Sequence, residues 1–582
     1  MSESPIMTHI RLDAIPLLLS VLKQMGIAQL YDREIGDHGS HTGLSGGWML
    51  TIWLTFILSQ SDHTKYKVEE WVARYQALLT SLTQQDFKSS EFNDNRLSSL
   101  LSRLSKPQRW ERFEDALWKQ SVFVYQLEMQ SVGGLYSAHV DSTTACGYHQ
   151  PQTDGLMQRG HSKDHRPDLA QLKLMTVATH PHGHLAVTQV VSGNTADDVL
   201  YLPIIARARA IFNRTGMLYS GDTKMAALVT RATIARDGDY YLVAAPLSGE
   251  TAVSFPTWIE DAISGAQPTL RLYNEEDEMI GRGYEFERQC AAELTAGKDG
   301  AVEPFTWSER VQIYRSDART AQQVKDLDKH LKLAKAELLK LTPKQGRRQF
   351  RDEAKLEDAV KAILKQHGAE GLLRVEWDVK QKTEYRYTGR GRPTTSSKRE
   401  EIIERRCRIS KVTRDQEAIA AKRKQLGWRV QLTNAPAAIP LQTCITHYRS
   451  NWCGERNYHR LKSQPIGIDR LFVRNDDQIA GLTYLLTLAA RIESVIEFRV
   501  ASGLKEKKEQ IKGLYSGLPQ RATPTPTTVA ILAAVARSEI TLTKMELQGK
   551  TSFHLTSLPD LLKDVLHYLD LQVSLYTEGV NF

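Results

Sequence analysis

The sequence predicts an α/β protein in which a mixed sheet flanked by helices is preceded by an all-helical domain and interrupted by an insertion. Apolar residues recur every three or four positions over residues 1–130, as is typical of amphipathic helices. Strand-like and helix-like stretches alternate over residues 131–246, which indicates an α/β sheet. A mostly β stretch with a helical hairpin follows at residues 247–434, and this change of pattern predicts the insertion.

Composition indicates a globular, multi-domain protein. Of its 582 residues, 41% are apolar and 25% are charged, which excludes collagen-like and mostly disordered chains. Five cysteines argue against a disulfide scaffold and for a reducing compartment. No signal peptide is expected, and the most apolar run, residues 47–58, is shorter than the roughly 20 residues that span a bilayer. We therefore expect a cytoplasmic protein with no membrane association.

Positive charge is concentrated in one region of the chain. The net charge is +8, and residues 319–429 contain 30 Lys and Arg against 16 Asp and Glu, which leaves the remaining chain acidic. A local basic excess of this kind is typical of a nucleic-acid-binding element. A solvated helical hairpin rich in lysine would account for the same charge.

Local patterns predict the elements in chain order. In the helical domain, Asn95 is expected to cap a helix that Pro107 ends. The sheet is predicted from strands at 135–141, 172–178 and 184–191, a helix at 198–211, a strand at 217–220, a helix at 224–236 and a strand at 240–245. Three antiparallel strands followed by parallel strands with helical crossovers form a mixed sheet. The helical pattern resumes at residues 435–505, and residues 506–582 are also expected to be helical.

Two aspartates stand where predicted strands end. These are Asp141 in the segment AHVDSTT and Asp222 in LYSGDTKM. Open α/β sheets place their sites at such strand ends. An aspartate beside Ser, Thr or Gly is more often a helix cap or a turn, so each aspartate alone is weak evidence for a site.

The segment HYRSNWCGERNYHRLK predicts a helix with chemically active groups on one face. The aromatic, amide, acidic and basic residues at offsets of three, seven and fourteen are Tyr448, Asn451, Glu455 and Lys462. These offsets drift little around a helix, so the four side chains are expected to share a face. The arginines flanking them are Arg449, Arg456 and Arg460.

The three segments, in this order, resemble the DDE transposases of the IS4 superfamily. GHSKDHRPDLAQLKL and VSGNTADD are most similar to its IS1634-type branch, and the resemblance covers about residues 10–505. It implies an RNase H-like fold for the catalytic domain, made of residues 131–246 and 435–505. It also implies that the helical domain at 1–130 serves DNA binding or dimerisation.

The resemblance further implies that Asp141, Asp222 and Glu455 are catalytic and bind two Mg²⁺ ions, for which Mn²⁺ substitutes. Hard oxygen ligands suit Mg²⁺, and two ions suit in-line cleavage of a phosphodiester. Lys462 is expected to hold a phosphate and Tyr448 to contact DNA. The family pattern has Arg at the position of Asn451, which retains hydrogen bonding and loses the charge.

Other residues are expected to contact DNA less specifically, and these include Asn451 and the flanking arginines Arg449, Arg456 and Arg460. Lys163 and Arg166 lie in a basic run downstream of the first aspartate, and Arg390 and Arg392 in YTGRGRPTT resemble an AT-hook core. Local structural roles account for both groups equally well. Some relatives trap a flipped base with a tryptophan of the insertion, for which the candidates are Trp307, Trp377 and Trp428.

These observations favour a DNA transposase that binds the terminal inverted repeats of its insertion sequence, cleaves the DNA and joins the 3′-OH ends to target DNA. Such cut-and-paste transposition requires two paired ends, so a homodimer on double-stranded DNA is expected. A catalytically silent DNA-binding protein derived from a transposase is one alternative. A metal-dependent nuclease without strand transfer is another.

Overall fold

The computed structural model describes residues 6–37, 42–127, 129, 131–274, 276–296, 301–342, 350–388, 399–547 and 550–577. The chain divides into two units. The first comprises Met1–Ala244, Gln289–Glu309 and Thr433–Phe582, and the second comprises Ala245–Arg288 and Arg310–Leu432. Residues 289–309, expected inside the insertion, thus belong to the first unit.

The N-terminal part of the first unit is mostly helical. Its elements are β1 (Ile6–Arg11), α1 (Ile15–Gln24), α2 (Ile27–Glu34), α3 (Gly46–Gln60), α4 (Lys65–Thr83), α5 (Asp94–Leu104) and α6 (Pro107–Tyr125). Asn93 caps α5 by accepting a hydrogen bond from the N–H of Arg96 at 3.0 Å. The expected cap at Asn95 is wrong, because Asn93 has the extended backbone that a cap requires and Asn95 is already helical. Pro107 begins α6 at its first turn.

A mixed sheet with helical crossovers follows, as predicted. Its elements are β2 (Ser131–Val132), β3 (Leu135–Gly147), β4 (Ala170–Thr179), β5 (Leu185–Ser192), α7 (Tyr201–Phe212), β6 (Leu218–Gly221), α8 (Leu228–Arg236) and β7 (Tyr240–Ala244). The strand order is β5-β4-β3-β6-β7. β3, β4 and β5 are antiparallel neighbours, whereas β6 runs parallel to both β3 and β7.

The next elements belong mainly to the second unit. They are α9 (Gly249–Ser264), β8 (Leu270–Tyr273), β9 (Met279–Ala296), β10 (Ala301–Ser316), α10 (Asp317–Leu341), α11 (Glu353–Gln366), β11 (Leu373–Tyr387), β12 (Arg399–Arg414), α12 (Gln416–Lys424) and β13 (Trp428–Thr433). α10 and α11 bury Leu331, Leu338 and Leu356 in a core of this unit. β11 and β12 pair with each other as an antiparallel two-stranded ribbon.

The C-terminal part returns to the first unit. Its elements are α13 (Leu441–Arg449), α14 (Trp452–Lys462), α15 (Asp476–Lys507), α16 (Thr528–Arg537), β14 (Thr541–Leu547), β15 (Lys550–Leu555) and α17 (Asp560–Tyr568). α15 is long and apolar enough to cross a membrane, but 94% of its most apolar stretch is buried inside the protein. Burial of this degree is typical of a core helix. This longer apolar window in α15 was not identified from the sequence.

The C-terminal region is not purely helical, contrary to the prediction. β14 and β15 form an antiparallel hairpin, and β14 also pairs with β1, with Arg11 opposite Thr541. This three-stranded sheet joins the two ends of the chain. A strand whose partner lies more than 500 residues away carries little local signal, which explains the wrong prediction.

Candidate active site

Asp141 and Asp222 lie beside each other where the parallel strands β3 and β6 are neighbours. Val140 of β3 is paired with Gly221 of β6, and the two aspartates directly follow this pair. β3 continues to Gly147 because it pairs with β4 along this length. Asp141 is therefore inside a strand rather than at its end, and Asp222 begins the loop after β6.

The environment of Asp141 opposes ionisation of its carboxyl group. Burial is the main cause that raises its pKa, to about 6, and the charge of Asp222 adds to the increase, against the lowering effect of Lys163. The Lys163 Nζ atom is 3.4 Å from Asp141 Oδ1 and donates to the carbonyl oxygen of Ser142 at 2.6 Å. A close carboxylate pair of this kind stabilises a bound cation.

Asp222 is held by α7 and by its own loop. The hydroxyl of Tyr201 donates to Asp222 Oδ1 at 2.7 Å, and the N–H of Lys224 donates to the same oxygen at 2.8 Å. Burial, followed by the charges of Asp222 and Asp141, raises the pKa of Tyr201, so its hydroxyl remains a donor. Sequence analysis missed Tyr201, because no local pattern indicates which residue of a crossover helix faces the next strand end.

The helix that carries Glu455 packs on the sheet beside the two aspartates. Tyr458 of α14 is 2.7 Å from the hydroxyl of Thr176, the residue paired with Asp141 across β3 and β4. Burial, followed by the charge of Asp141 and then that of Asp222, raises the pKa of Tyr458. Tyr458 and Glu455 are three residues apart and so share a helix face, and the side chain of Glu455 is exposed.

The two aspartates offer a partial metal site. Among the described residues, no three His, Cys, Asp or Glu side chains converge as a group that could hold a metal ion. The structure brings Asp141 and Asp222 together and does not add Glu455 as a third ligand. Because Mg²⁺ is often bound by one or two carboxylates, with waters and substrate phosphates completing its shell, the pair fits this ion.

The segment around Glu455 forms two helices instead of the predicted one. α13 and α14 are separated by a turn at Ser450 and Asn451. The Ser450 hydroxyl donates to the carbonyl oxygen of His447 at 2.6 Å, a local bond that competes with helix continuation. The prediction that Tyr448 shares a helix face with Glu455 is therefore wrong.

Tyr448 and Asn451 both make internal contacts. Tyr448 packs against a cluster that includes Leu218 and Ile439. Asn451 Oδ1 accepts a hydrogen bond from the hydroxyl of Ser220 at 3.0 Å. The amide at the position where the resemblance expects Arg is thus bound to the strand that leads to Asp222.

Arg456 and Arg460 contact the protein interior. Both pair with Glu497 of α15, Arg456 at 2.9 Å. The side chain of Arg460 is 5% exposed and also donates to Asn457 Oδ1 at 2.6 Å. Arg460 is thus a structural residue that joins α14 to α15.

Lys462 lies at the end of α14 against the segment GHSKDHRPDL. Its ammonium group is bound to the carboxylate of Asp164, which also accepts a hydrogen bond from Thr144 Oγ1 at 2.9 Å. Burial, opposed by Lys462 and reinforced by Asp164, raises the pKa of the nearby Asp469. The most specific motif of the sequence therefore contacts both the Asp141 strand and the Glu455 helix.

The remaining basic residues are farther from these contacts or outside the described ranges. Arg166 donates to both carboxylate oxygens of Asp168, at 2.9 and 2.7 Å, in an exposed pair. Arg449 is exposed at the end of α13. Arg390 and Arg392 lie outside the described residues.

The three tryptophans of the insertion are engaged within the protein. Trp307 and Trp428 are buried. Trp377 is half-buried and donates to Glu353 Oε1 at 3.0 Å. Trp452, at the first position of α14, is 56% exposed and lies three residues before Glu455.

No known protein-family profile matches this sequence, and no curated protein matches it. Among solved structures, a cryo-EM structure of a piggyBac transposase synaptic complex with hairpin DNA is similar to this chain, with a TM-score of 0.23 and 9% sequence identity. The similarity covers 50% of this chain and 60% of that chain. Because a likeness this distant does not specify a function, the functional argument rests on the residues of the site.

Proposed function

We propose that this chain is a DDE-type DNA transposase that cleaves the ends of its insertion sequence and joins the 3′-OH ends to target DNA. The observation that carries the proposal is the adjacency of Asp141 in β3 and Asp222 directly after β6, because these two strands are parallel neighbours. The strand order supports an RNase H-like domain, because three antiparallel strands are followed by two parallel strands through helical crossovers. The IS4-type resemblance of the segments around both aspartates and Glu455 supports the same assignment.

Asp141 and Asp222 would hold divalent ions, and Glu455 of α14 is the proposed third acid. When bound, Mg²⁺ would activate the attacking water or 3′-OH and would stabilise the leaving oxygen. Tyr201 fixes the orientation of Asp222 through its 2.7 Å hydrogen bond. Lys163, 3.4 Å from Asp141, places a positive charge beside the position of the scissile phosphate.

DNA is the proposed partner. The β11-β12 ribbon supports this role, because a two-stranded ribbon fits the major groove of B-DNA. Its exposed basic residues include Lys380, Lys382, Arg386, Arg405 and Arg406. Pairing of two DNA ends requires two active sites, so we expect a homodimer on DNA.

Cleavage of end DNA tests the proposal. The purified chain would be incubated with labelled duplexes carrying the repeats that flank its coding sequence, in Mg²⁺, Mn²⁺ or EDTA. Asp141→Asn, Asp222→Asn and Glu455→Gln are each expected to abolish cleavage at the boundary, whereas the exposed Asp560→Asn leaves it unchanged. Unaltered cleavage by Glu455→Gln would refute the three-acid mechanism.

A catalytically silent DNA-binding protein is the second candidate. It is favoured by Asn451, whose Oδ1 atom accepts a hydrogen bond from Ser220 and which offers no positive charge to a phosphate. Tight binding of end DNA without metal-dependent cleavage would favour it over the transposase. In the same assay, nicks that never yield joined products would indicate a nuclease without strand transfer.

A further inference from the structure

Each of the three acids is preceded in the chain, two or four residues earlier, by a polar residue. His139 precedes Asp141 by two residues in β3, and Ser220 precedes Asp222 by two residues in β6. Alternate residues of a strand point to the same face of the sheet, so His139 lies on the face of Asp141, and Ser220, which is paired with His139 across β3 and β6, lies on that face too. Asn451 precedes Glu455 by four residues, or about one helical turn.

Hydrogen bonds join these three side chains directly. His139 Nδ1 is 2.6 Å from Ser220 Oγ, and Ser220 Oγ donates to Asn451 Oδ1 at 3.0 Å. Because the single hydroxyl proton goes to Asn451, Ser220 accepts from the Nδ1–H of His139. The chain of bonds therefore runs from β3 through β6 to the start of α14.

Two members of the network, His139 and Ser220, are buried. Ser220 is fully buried and His139 is 4% exposed. The ring of His139 stacks on His447 of α13 at a centroid distance of 5.3 Å and meets His180 edge-on at 5.7 Å. Packing from two sides thus holds the imidazole in place, and buried hydrogen bonds of this kind are costly to break.

The hydrogen bond between Ser220 and Asn451 matters because Asn451 lies at the break between α13 and α14. Asn451 is the residue before the first turn of α14, and no side-chain hydrogen bond caps that helix. The backbone N–H of Glu455 donates to the carbonyl oxygen of Asn451 at 3.2 Å. The position of Asn451 therefore sets where α14 begins and where Glu455 is placed relative to the sheet.

We infer that His139, Ser220 and Asn451 are positioning residues that set the distance between the aspartate pair and Glu455. This inference rests on the proposed function, because it assigns the network to the same two-metal site. Residues that orient metal ligands commonly affect metal affinity or activity by about 10-fold to 100-fold. It also explains why an amide occupies the position where the resemblance expects Arg.

Metal binding and cleavage by full-length variants test the inference. Ser220→Ala and Asn451→Ala would be compared with Ser494→Ala, which removes a matched buried bond between Ser494 Oγ and His184 Nδ1 of 2.8 Å. Mn²⁺ binding would be measured by electron paramagnetic resonance in the absence of DNA. The Mg²⁺ concentration that gives half-maximal end cleavage would be measured in parallel, with thermal unfolding as the control for folding.

The first two variants are expected to weaken Mn²⁺ binding and to raise the half-maximal Mg²⁺ concentration, each by about 10-fold. Ser494→Ala is expected to leave both values unchanged, and Ser220→Thr, which retains the hydroxyl, to recover most of the loss. If Ser220→Ala and Ser494→Ala had the same Mn²⁺ affinity and the same half-maximal Mg²⁺ concentration, the positioning role would be refuted. The proposed function would not be affected by that result. A wild-type protein that neither binds Mn²⁺ nor cleaves DNA would overturn the proposed function and the inference together.

Discussion

Arg491 of α15 and Glu114 of α6 form a buried ion pair in the core of the first unit. Their side chains are 2% and 1% exposed. Glu114 also accepts hydrogen bonds from the N–H and the hydroxyl of Thr188 in β5, at 2.9 and 2.7 Å. Arg491 Nε donates to the carbonyl oxygen of Leu185 at 3.0 Å. This cluster ties the N-terminal helices and the longest helix to the edge of the sheet.

Arg491→Leu is expected to lower the free energy of unfolding by about 3 kcal/mol, the lower end of the cost of breaking a buried ion pair, because Arg207, 3.7 Å from Glu114, remains as a second cation. Lys563→Ala, which removes the exposed pair with Asp560, is the control and is expected to cost less than about 1 kcal/mol. Urea unfolding followed by circular dichroism measures both. Similar losses for the two variants would contradict a structural role for the buried pair.

The close packing of α15 on α5 predicts a second effect on stability. A Cβ atom added at Gly481 would lie 2.0 Å from the carbonyl oxygen of Leu101, which is rigid backbone. Gly481→Ala is therefore expected to lower the free energy of unfolding by about 1 to 3 kcal/mol. Gly454→Ala, also in a helix, meets only His139 Cβ at 3.6 Å and should be near neutral. Comparison of the two thermal midpoints separates packing from helix propensity.

Glu493 predicts a pH dependence of stability. Burial, reinforced by the charge of Glu497, raises the pKa of Glu493 from 4.5 to about 8. The folded state thus holds this proton more tightly than the unfolded state, and the wild type loses stability as the pH rises from about 4.5 to about 8. Glu493→Gln removes this loss.

Relative to the wild type, Glu493→Gln is expected to gain about 1 to 3 kcal/mol of unfolding free energy between pH 5 and pH 9. Urea unfolding at pH 5, 7 and 9 measures the difference. The exposed Glu506→Gln is the control and should show the same stability difference at all three values. A constant difference for Glu493→Gln would show that its carboxyl group is ionised throughout.

Lys462 and Arg460 are expected to differ in their effects on DNA binding. Lys462→Ala should weaken binding to all sequences and reduce the slope of log affinity against log salt by about 1, because one phosphate contact is lost. Arg460→Ala should leave that slope unchanged and lower stability, because Arg460 is buried against Glu497. Fluorescence anisotropy over a range of salt concentrations gives both slopes. An equal slope for Lys462→Ala and wild type would exclude a phosphate contact.

Local patterns were enough to predict the order and type of the elements of the mixed sheet. Strand and helix periodicities extend over several residues, so the strands near Asp141 and Asp222 were located to within a few positions, although β3 is longer than its apolar pattern. Helix ends were predicted less well. The cap at Asn93 and the break at Ser450 depend on single side-chain hydrogen bonds that a periodic pattern does not reveal.

The sequence by itself determined the order of the elements of the mixed sheet, the concentration of basic charge at residues 319–429 and the positions of the two aspartates next to its strands, because each depends on residues close together in the chain. Only the tertiary structure decided which distant groups meet. Three such contacts join residues that are 21, 231 and 298 positions apart in the chain: Tyr201 with Asp222, Ser220 with Asn451, and Asp164 with Lys462. Such contacts depend on how helices pack across a sheet, and that packing is set by the whole core and not by any local segment.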